Sequence, residues 1–588
     1  MALLLAALIV ALVLSATYVR NKSSNKERLS RGASRLPGPK GLPLIGRVHD
    51  VPAEKTWLKF YEWSKEFGPI YQQDMFGSVH IWISSEEIAH ELLSRRAATY
   101  SDRPMIPNLP NNRYAGEYLA LHGSNETWKR QRKLAQQLMS TSANASLHDY
   151  PTKERDRFLY LLSQDPSQYR EYIEQFTART VSRLSWGSTH PANVLRKTTL
   201  GLLETISPAG ALPNVISWLR HMPYFLSPWK QREFARHEEE AAAFKSNVRY
   251  VHERINIGDA QPSFVKTFIS RLSKQPNGSK WGQEAEATYV VGQMAIAGAL
   301  TIGSPIQSFL LAMLHYPDWQ RKLQAEIDDV CHGECPAWEQ REKMPLLRAV
   351  VKEVIRWRPP VPTGIPHATE ADDVWNGYFI PKGATIHALE WGITRDEHTY
   401  PDAEAFNPAR WLEAEYPTYK GPLTQHPNLN GFSQFGFGRR TCQGVPVVEQ
   451  DLFLAMGGMS WAFNIRKKHR EDGSEIDVHW DDFSPLLIAK PAPFEFDALP
   501  RSEVVKSKLA GMWETGKGDD DIENEKQQAL GKMMAEDHEN ERNEDEQDVV
   551  SIGGSDTSGP SEGASESSGG SGANLEELNI WTAISHAG

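Results

Sequence analysis

Ten residues constrain this chain more than any others: Phe435-Gly436-Phe437-Gly438-Arg439-Arg440-Thr441-Cys442-Gln443-Gly444. Glycines at 436, 438 and 444 let the backbone turn tightly and lie against a flat ligand. Arg439 and Arg440 place positive charge beside the thiol of Cys442, which favours the thiolate. A thiolate presented from a glycine-rich loop is suited to hold a metal from one side. A glycine-arginine loop around an inert thiol fits the same residues taken alone. The chain has 3 cysteines in all, too few for a disulfide framework, and at 588 residues it is long enough to fold around a large core without one.

The decapeptide resembles the heme-binding loop of the cytochrome P-450 superfamily, F-x-x-G-x-R-x-C-x-G, through Phe435, Gly438, Arg440, Cys442 and Gly444. Other segments carry the same resemblance in the expected order. Glu353-Val354-Ile355-Arg356 is an E-x-x-R helix, and Phe406-Asn407-Pro408-Ala409-Arg410-Trp411 supplies the second arginine, with Ala409 where the family often has Glu. In isolation Glu353 and Arg356 would be a surface pair contributing only ~0.2 to 0.5 kcal/mol. The resemblance implies instead that Glu353, Arg356 and Arg410 form a charge network supporting the cysteine loop. It also implies that Trp128 and Arg132 of a W-x-x-x-R helix, His367 and Arg440 serve the heme propionates.

Ala297, Gly298 and Thr301 fit the distal motif A-G-x-[D/E]-T. Its small residues leave room for dioxygen, and the threonine hydroxyl can bond the carbonyl four residues back. Pro305 has no N–H for the carbonyl of Thr301, so a kink is expected over Ala297 to Thr301. Leu300 departs from the motif because it cannot titrate. Either water and Thr301 suffice as the proton relay, or another acid substitutes, or the protein is a non-oxygenating heme-thiolate isomerase or dehydratase. The retained Thr301 favours oxygenation.

The implied fold is mainly α with small β-sheets, and the implied cofactor is heme b (iron protoporphyrin IX) with Cys442 as axial ligand. Such a thiolate pushes electron density toward O–O cleavage. O2 and NADPH-derived electrons would be used, the latter delivered by an NADPH-cytochrome reductase, with a cytochrome b-type donor as a second candidate. Lys129, Arg130, Arg132, Lys133, Arg439 and Arg440 form a candidate cationic docking surface. Substrate walls are expected at Pro104 to Gly123, Val361 to Ile365, and Leu212 to Trp229. The last, with Trp218, Tyr224, Phe225 and Trp229, suits an apolar entrance or the bilayer interface, so the substrate is expected to be lipophilic. The stretch from Trp357 to His367 is similar to fungal members that oxidise polyketide- or terpenoid-like secondary metabolites.

Around this centre the chain divides into four regions. Residues 2–19 carry no charge and would span ~27 Å as a helix, about one hydrocarbon thickness. Basic residues follow that run instead of preceding it, which predicts an uncleaved single-pass anchor in the endoplasmic reticulum with the catalytic domain facing the cytosol. Residues 20–50 read as a basic, proline-rich connector, and 51–500 as the catalytic domain, with long helices at Ala285 to Leu314 and Pro345 to Trp357. Residues 501–588 read as an acidic, Gly/Ser-rich disordered tail. From Arg501 onward 20 acidic and 7 basic residues give −13, so the first 500 residues carry +2 of the overall −11, and no basic face argues for nucleic acid. Cys331, His332 and Cys335 lack the further ligands of a zinc site and read as an inter-helix loop.

Overall fold

A computed structural model describes residues 32–518, apart from 43–44, 110–111, 114, 145–148, 208–211, 216, 273–279 and 422–426. The expected anchor at 2–19 and the tail from 519 onward lie outside the described residues. Within them the architecture is mainly helical with three small sheets.

The largest sheet has the order β1 (Ile70–Met75), β2 (Ser78–Ile83), β6 (Thr385–Ala388) and β3 (His367–Ala368). β1 and β2 form a hairpin whose two linking residues, Phe76 and Gly77, both have positive φ, the turn that matches strand twist. β4 (Asp373–Trp375) and β5 (Tyr378–Ile380) are joined the same way through Asn376 and Gly377. β2 pairs in parallel with β6, which brings the segment after the Pro345–Trp357 helix beside the N-terminal strands. β7 (Phe463–Lys467) and β8 (Phe496–Pro500) form the third sheet.

Two helices run through the core. Val445–Ala462 starts three residues after Cys442 and is buried along nearly its whole length. The other passes from Lys280 to Thr301, breaks at Ile302 and resumes as Gly303–His315. Its portion Glu284–His315 is apolar and long enough to cross a membrane, with a mean hydropathy of 1.5 over its most apolar window, yet 78% of that window is buried in the protein. It is a core helix. The Pro345–Trp357 helix has the expected bounds, with ten of its residues buried.

Two domain boundaries differ from those expected. The connector is docked at its C-terminal end: Ser34 exchanges backbone hydrogen bonds with Gly377 and Phe379, Leu36 is buried against the sheet, and Pro37 accepts from the Gln72 amide. At the other end, residues 503–518 form a helix that buries Val505 and Leu509 and stacks Trp513 on Tyr160 at 4.8 Å. Arg501 pairs with Asp328 and Lys508 with Glu334. The acidic composition of the residues that follow concealed a short amphipathic face here, so the folded unit extends past Pro500.

Candidate active site

The cysteine loop is held open by its glycines. Gly438 has φ +55, and a Cβ there would lie 2.2 Å from the Leu93 carbonyl oxygen, so no other residue fits. The loop closes when the Cys442 amide donates to the Phe435 carbonyl at 2.7 Å. The Gly444 amide donates to Cys442 Sγ at 3.3 Å, and the positive end of the Val445–Ala462 helix follows directly. Cys442 is exposed, yet burial is the leading influence on its thiol and pushes it up. Both hold for a side chain that borders an internal hollow. The Gly444 hydrogen bond and Arg132 oppose the rise without cancelling it, so the arginines do not by themselves secure the thiolate, as the sequence suggested. A bound metal would.

Arg440 and Arg132, expected on the docking surface, turn inward. Arg440 lies 3.8 Å over the Trp128 ring, donates from Nε to Ser101 O at 2.8 Å and from Nη2 to His122 O at 2.7 Å. Arg132 donates to the Thr441 carbonyl of the cysteine loop. Lys129, Arg130, Lys133 and Arg439 remain exposed. His367, 4% exposed, donates from Nδ1 to Tyr100 O at 2.8 Å, and burial, reinforced by Arg103 and Arg440, holds it well below the ordinary histidine range.

Arg103 and His122 complete this cluster and escaped the sequence reading. Arg103 donates to Ile365 O at 3.0 Å, Pro366 O at 2.6 Å and Ala120 O at 3.1 Å. It stands one residue before the loop assigned to the substrate wall, and His122 stands inside that loop. No spacing singled them out, and His122 belongs with the arginines instead of a wall. Burial and mutual repulsion lower Arg440 to about 8 and Arg103 to about 9. Two carboxylates, Asp102 and Glu370, act on Arg440 without offsetting the burial and repulsion, and Asp102 is already paired with Arg113. Arg440 Nη1 and His122 Nε2 are buried without a protein partner. A buried group of cations with unused nitrogens fits a ligand bearing two carboxylates.

Beneath the loop, Glu353 accepts five hydrogen bonds. Oε1 takes Arg356 Nη2 at 2.8 Å, Arg410 Nε at 3.1 Å and the Asn407 amide at 2.9 Å; Oε2 takes Arg356 Nε at 2.8 Å and Trp411 Nε1 at 3.0 Å. All three charged residues are fully buried. The guanidiniums spend their remaining hydrogens on carbonyls: Arg356 on Thr394, Ala403 and Ala405, Arg410 on Pro401 and Asp402. Burial pushes Arg356 down, but Glu353 more than offsets it and holds it above the ordinary value. Far from a surface pair, this is a clamp on the segment leading to the cysteine loop. Ala409 is buried and leaves Arg410 undisturbed.

On the distal side Ala297 is exposed although Ala295, Ile296, Ala299 and Leu300 around it are buried, so the helix opens there onto interior space. Thr301 Oγ1 donates to Ala297 O at 3.0 Å, and the Ile302 amide reaches Gly298 O at a long 3.4 Å. The helix therefore yields just beyond Thr301, at the C-terminal edge of the expected kink. Gly298 has a packing reason for its size: a Cβ would come within 2.5 Å of Val181 Cγ1. Of the expected entrance, Tyr224, Phe225 and Leu226 are 53, 76 and 53% exposed, while the side chain of Trp218 lies outside the described residues. Among the described residues no group of three His, Cys, Asp or Glu side chains could hold a metal, Cys331 and Cys335 included.

A thiol on a glycine loop, a buried cationic cradle, a Glu-Arg-Arg clamp and an opened distal helix together define a heme-thiolate protein. The cytochrome P450 family profile matches residues 36–496. The chain is 31% identical over 489 residues to cytochrome P450 monooxygenase 58 of Postia placenta, covering 81% of this chain and 90% of that protein. It is 30% identical over 501 residues to cytochrome P450 monooxygenase virE of Hypocrea virens, covering 83% and 89%. The chain belongs to the cytochrome P450 family and is an oxidoreductase of its monooxygenase class. The family's cofactor is heme held by a cysteine thiolate, used with O2 and NADPH-derived electrons. These relatives lend no support to the isomerase or dehydratase alternative.

Proposed function

We propose that this protein hydroxylates or otherwise oxidises a lipophilic small molecule in a fungal secondary-metabolite pathway of polyketide or terpenoid type, with electrons from an NADPH-dependent reductase. One observation carries the reading: a thiol and a distal helix each open onto the interior, with a buried cradle for two carboxylates beside the thiol. Heme bound by a thiolate supplies O2 activation.

The residues divide the remaining work. Cys442 would hold the heme iron through its thiolate, and Phe435, Gly438 and Gly444 shape the loop that presents it. Trp128, Arg132, His367 and Arg440, joined by Arg103 and His122, would hold its propionates. Because Thr301 gives its own proton to Ala297 O, its oxygen has lone pairs with which to accept from a water and hold it at the distal face. Exposed Tyr224, Phe225 and Leu226 suit contact with a membrane surface or a lipophilic entrant. The charge-free run at 2–19 and the basic residues after it support an endoplasmic reticulum anchor with a cytosolic catalytic domain.

Metabolites of a host producing the intact protein with a reductase test this reading against those of a host producing Thr301→Ala. The intact protein is expected to yield an oxygenated product that depends on NADPH and O2. Turnover without either would establish the non-oxygenating alternative instead.

A further inference from the structure

The turn Ser433–Phe435 leads into the cysteine loop, and its last residue supplies the carbonyl that takes the Cys442 amide. Where that turn sits therefore decides where the thiol sits. One side chain ties it to a distant part of the chain: Gln434 Nε2 donates to Glu390 Oε2 at 2.5 Å. Glu390 is 4% exposed, and its backbone is pinned on both sides, because the Leu389 amide donates to Ile83 O at 2.8 Å and the Trp391 amide to Pro362 O at 2.9 Å. Its own carbonyl accepts from the Thr394 amide at 3.0 Å and from the Thr394 hydroxyl at 2.9 Å. Gln434 is served at one end only, since its Oε1 is buried with no partner. An amide oxygen left in that state costs the desolvation of the group.

A carboxylate only accepts hydrogen bonds, whereas a carboxylic acid donates one and accepts another. Against the Gln434 amide, an acid at 390 answers both ends and a carboxylate answers one. The surroundings favour the acid. Burial holds the Glu390 carboxyl well above the ordinary carboxylate range, Glu86 adds to the rise, and the Gln434 hydrogen bond alone opposes it. Burial likewise pushes Tyr400 up, so its phenol brings no charge to this region. We infer that Glu390 is a positioning residue held as a neutral acid: its hydroxyl donates to Gln434 Oε1 while its other oxygen accepts from Gln434 Nε2, and this two-bonded pair fixes the turn that sets Cys442. The inference rests on Cys442 as the heme ligand and on nothing about the substrate.

Three variants of the full-length holoenzyme test it. Glu390→Gln keeps one donor and one acceptor, Glu390→Leu keeps neither, and Gln434→Leu removes the partner. Reduced carbon-monoxide spectra at neutral pH give the ratio of thiolate-type to thiol-type absorption. Glu390→Gln is expected to hold that ratio within about twofold of the wild type, and both leucine variants to lower it about tenfold. The infrared spectrum of the wild type minus that of Glu390→Gln is expected to show the carbonyl stretch of a protonated carboxyl. It decides the matter alone if the leucine variants accumulate poorly. A ratio that falls as far in Glu390→Gln as in Glu390→Leu, a ratio unchanged in Glu390→Leu, or a carboxylate band in the difference spectrum overturns the inference. A wild type that shows the thiolate-type band alongside any of these results sinks the positioning role alone. One that lacks the band sinks Cys442 as the ligand and the positioning role together.

Discussion

The Glu353 carboxylate joins the Pro345–Trp357 helix to the segment Asn407–Trp411 through five hydrogen bonds. Removing one member of a buried, fully hydrogen-bonded charge pair leaves its partner unpaired, at a cost of about 3–5 kcal/mol. Glu353→Ala, which would strand both Arg356 and Arg410, is therefore expected to lower the melting temperature sharply and to yield little heme-loaded protein, as read by calorimetry and absorbance. Arg103→Leu should act differently, keeping the thiolate-type carbon-monoxide band while releasing heme faster to an acceptor such as apomyoglobin. Asp451 offers a pH test. Both of its carboxyl oxygens are buried without a protein partner, and burial holds it well above the ordinary carboxylate range. An acid whose folded pKa is raised loses stabilisation as pH climbs from the unfolded value through the folded one. Asp451→Asn should accordingly melt higher than the wild type at pH 8, with the gap closing toward pH 5. At this scale sequence showed much: Cys442, Glu353, Arg356, Arg410, Trp128, Arg132, His367 and Arg440 all stand in fixed spacings. Arg103 and His122 were hidden because their partners are backbone carbonyls and a neighbouring arginine, which leave no periodic trace.

Among the elements, the distal helix shows how a helix can be interrupted without being lost. Thr301 returns a hydrogen bond to Ala297 and Pro305 withholds one from Thr301, so the strain gathers at Ile302. Gly298 allows this helix to approach Val181 of the Tyr169–Trp186 helix closely. Gly298→Ala is expected to destabilise by about 1–3 kcal/mol through overpacking, and adding Val181→Ala should recover part of the loss in the same melting experiment. The Pro345–Trp357 helix was legible because its apolar face is strictly periodic. The helix at 503–518 was not, since three lysines, two glutamates and three glycines around Val505, Leu509 and Trp513 dilute the same signal. The hairpin turns at Phe76-Gly77 and Asn376-Gly377 are local choices, whereas the pairing of β2 with β6 sets His80 beside Thr385, 305 positions further along the chain.

For the molecule as a whole, charge is sorted by depth. Arg103, Arg132 and Arg440 are drawn inward, while Lys133 and Arg439, the chain neighbours of Arg132 and Arg440, stay at the surface. Reversing the outer pair, Lys133→Glu with Arg439→Glu, should slow reductase-supported reduction and flatten its dependence on ionic strength, while leaving the carbon-monoxide band intact. Stopped-flow reduction at several salt concentrations checks this. Composition alone could not sort these cations, because burial is a property of the assembled fold. The inward group has a consequence for the life of the polypeptide. Until a dianion arrives, three guanidiniums repel one another in a space without enough countercharge, and whatever binds only the folded form shifts the balance toward it. Supply of the pigment by the host, then, would set how many newly made chains survive quality control.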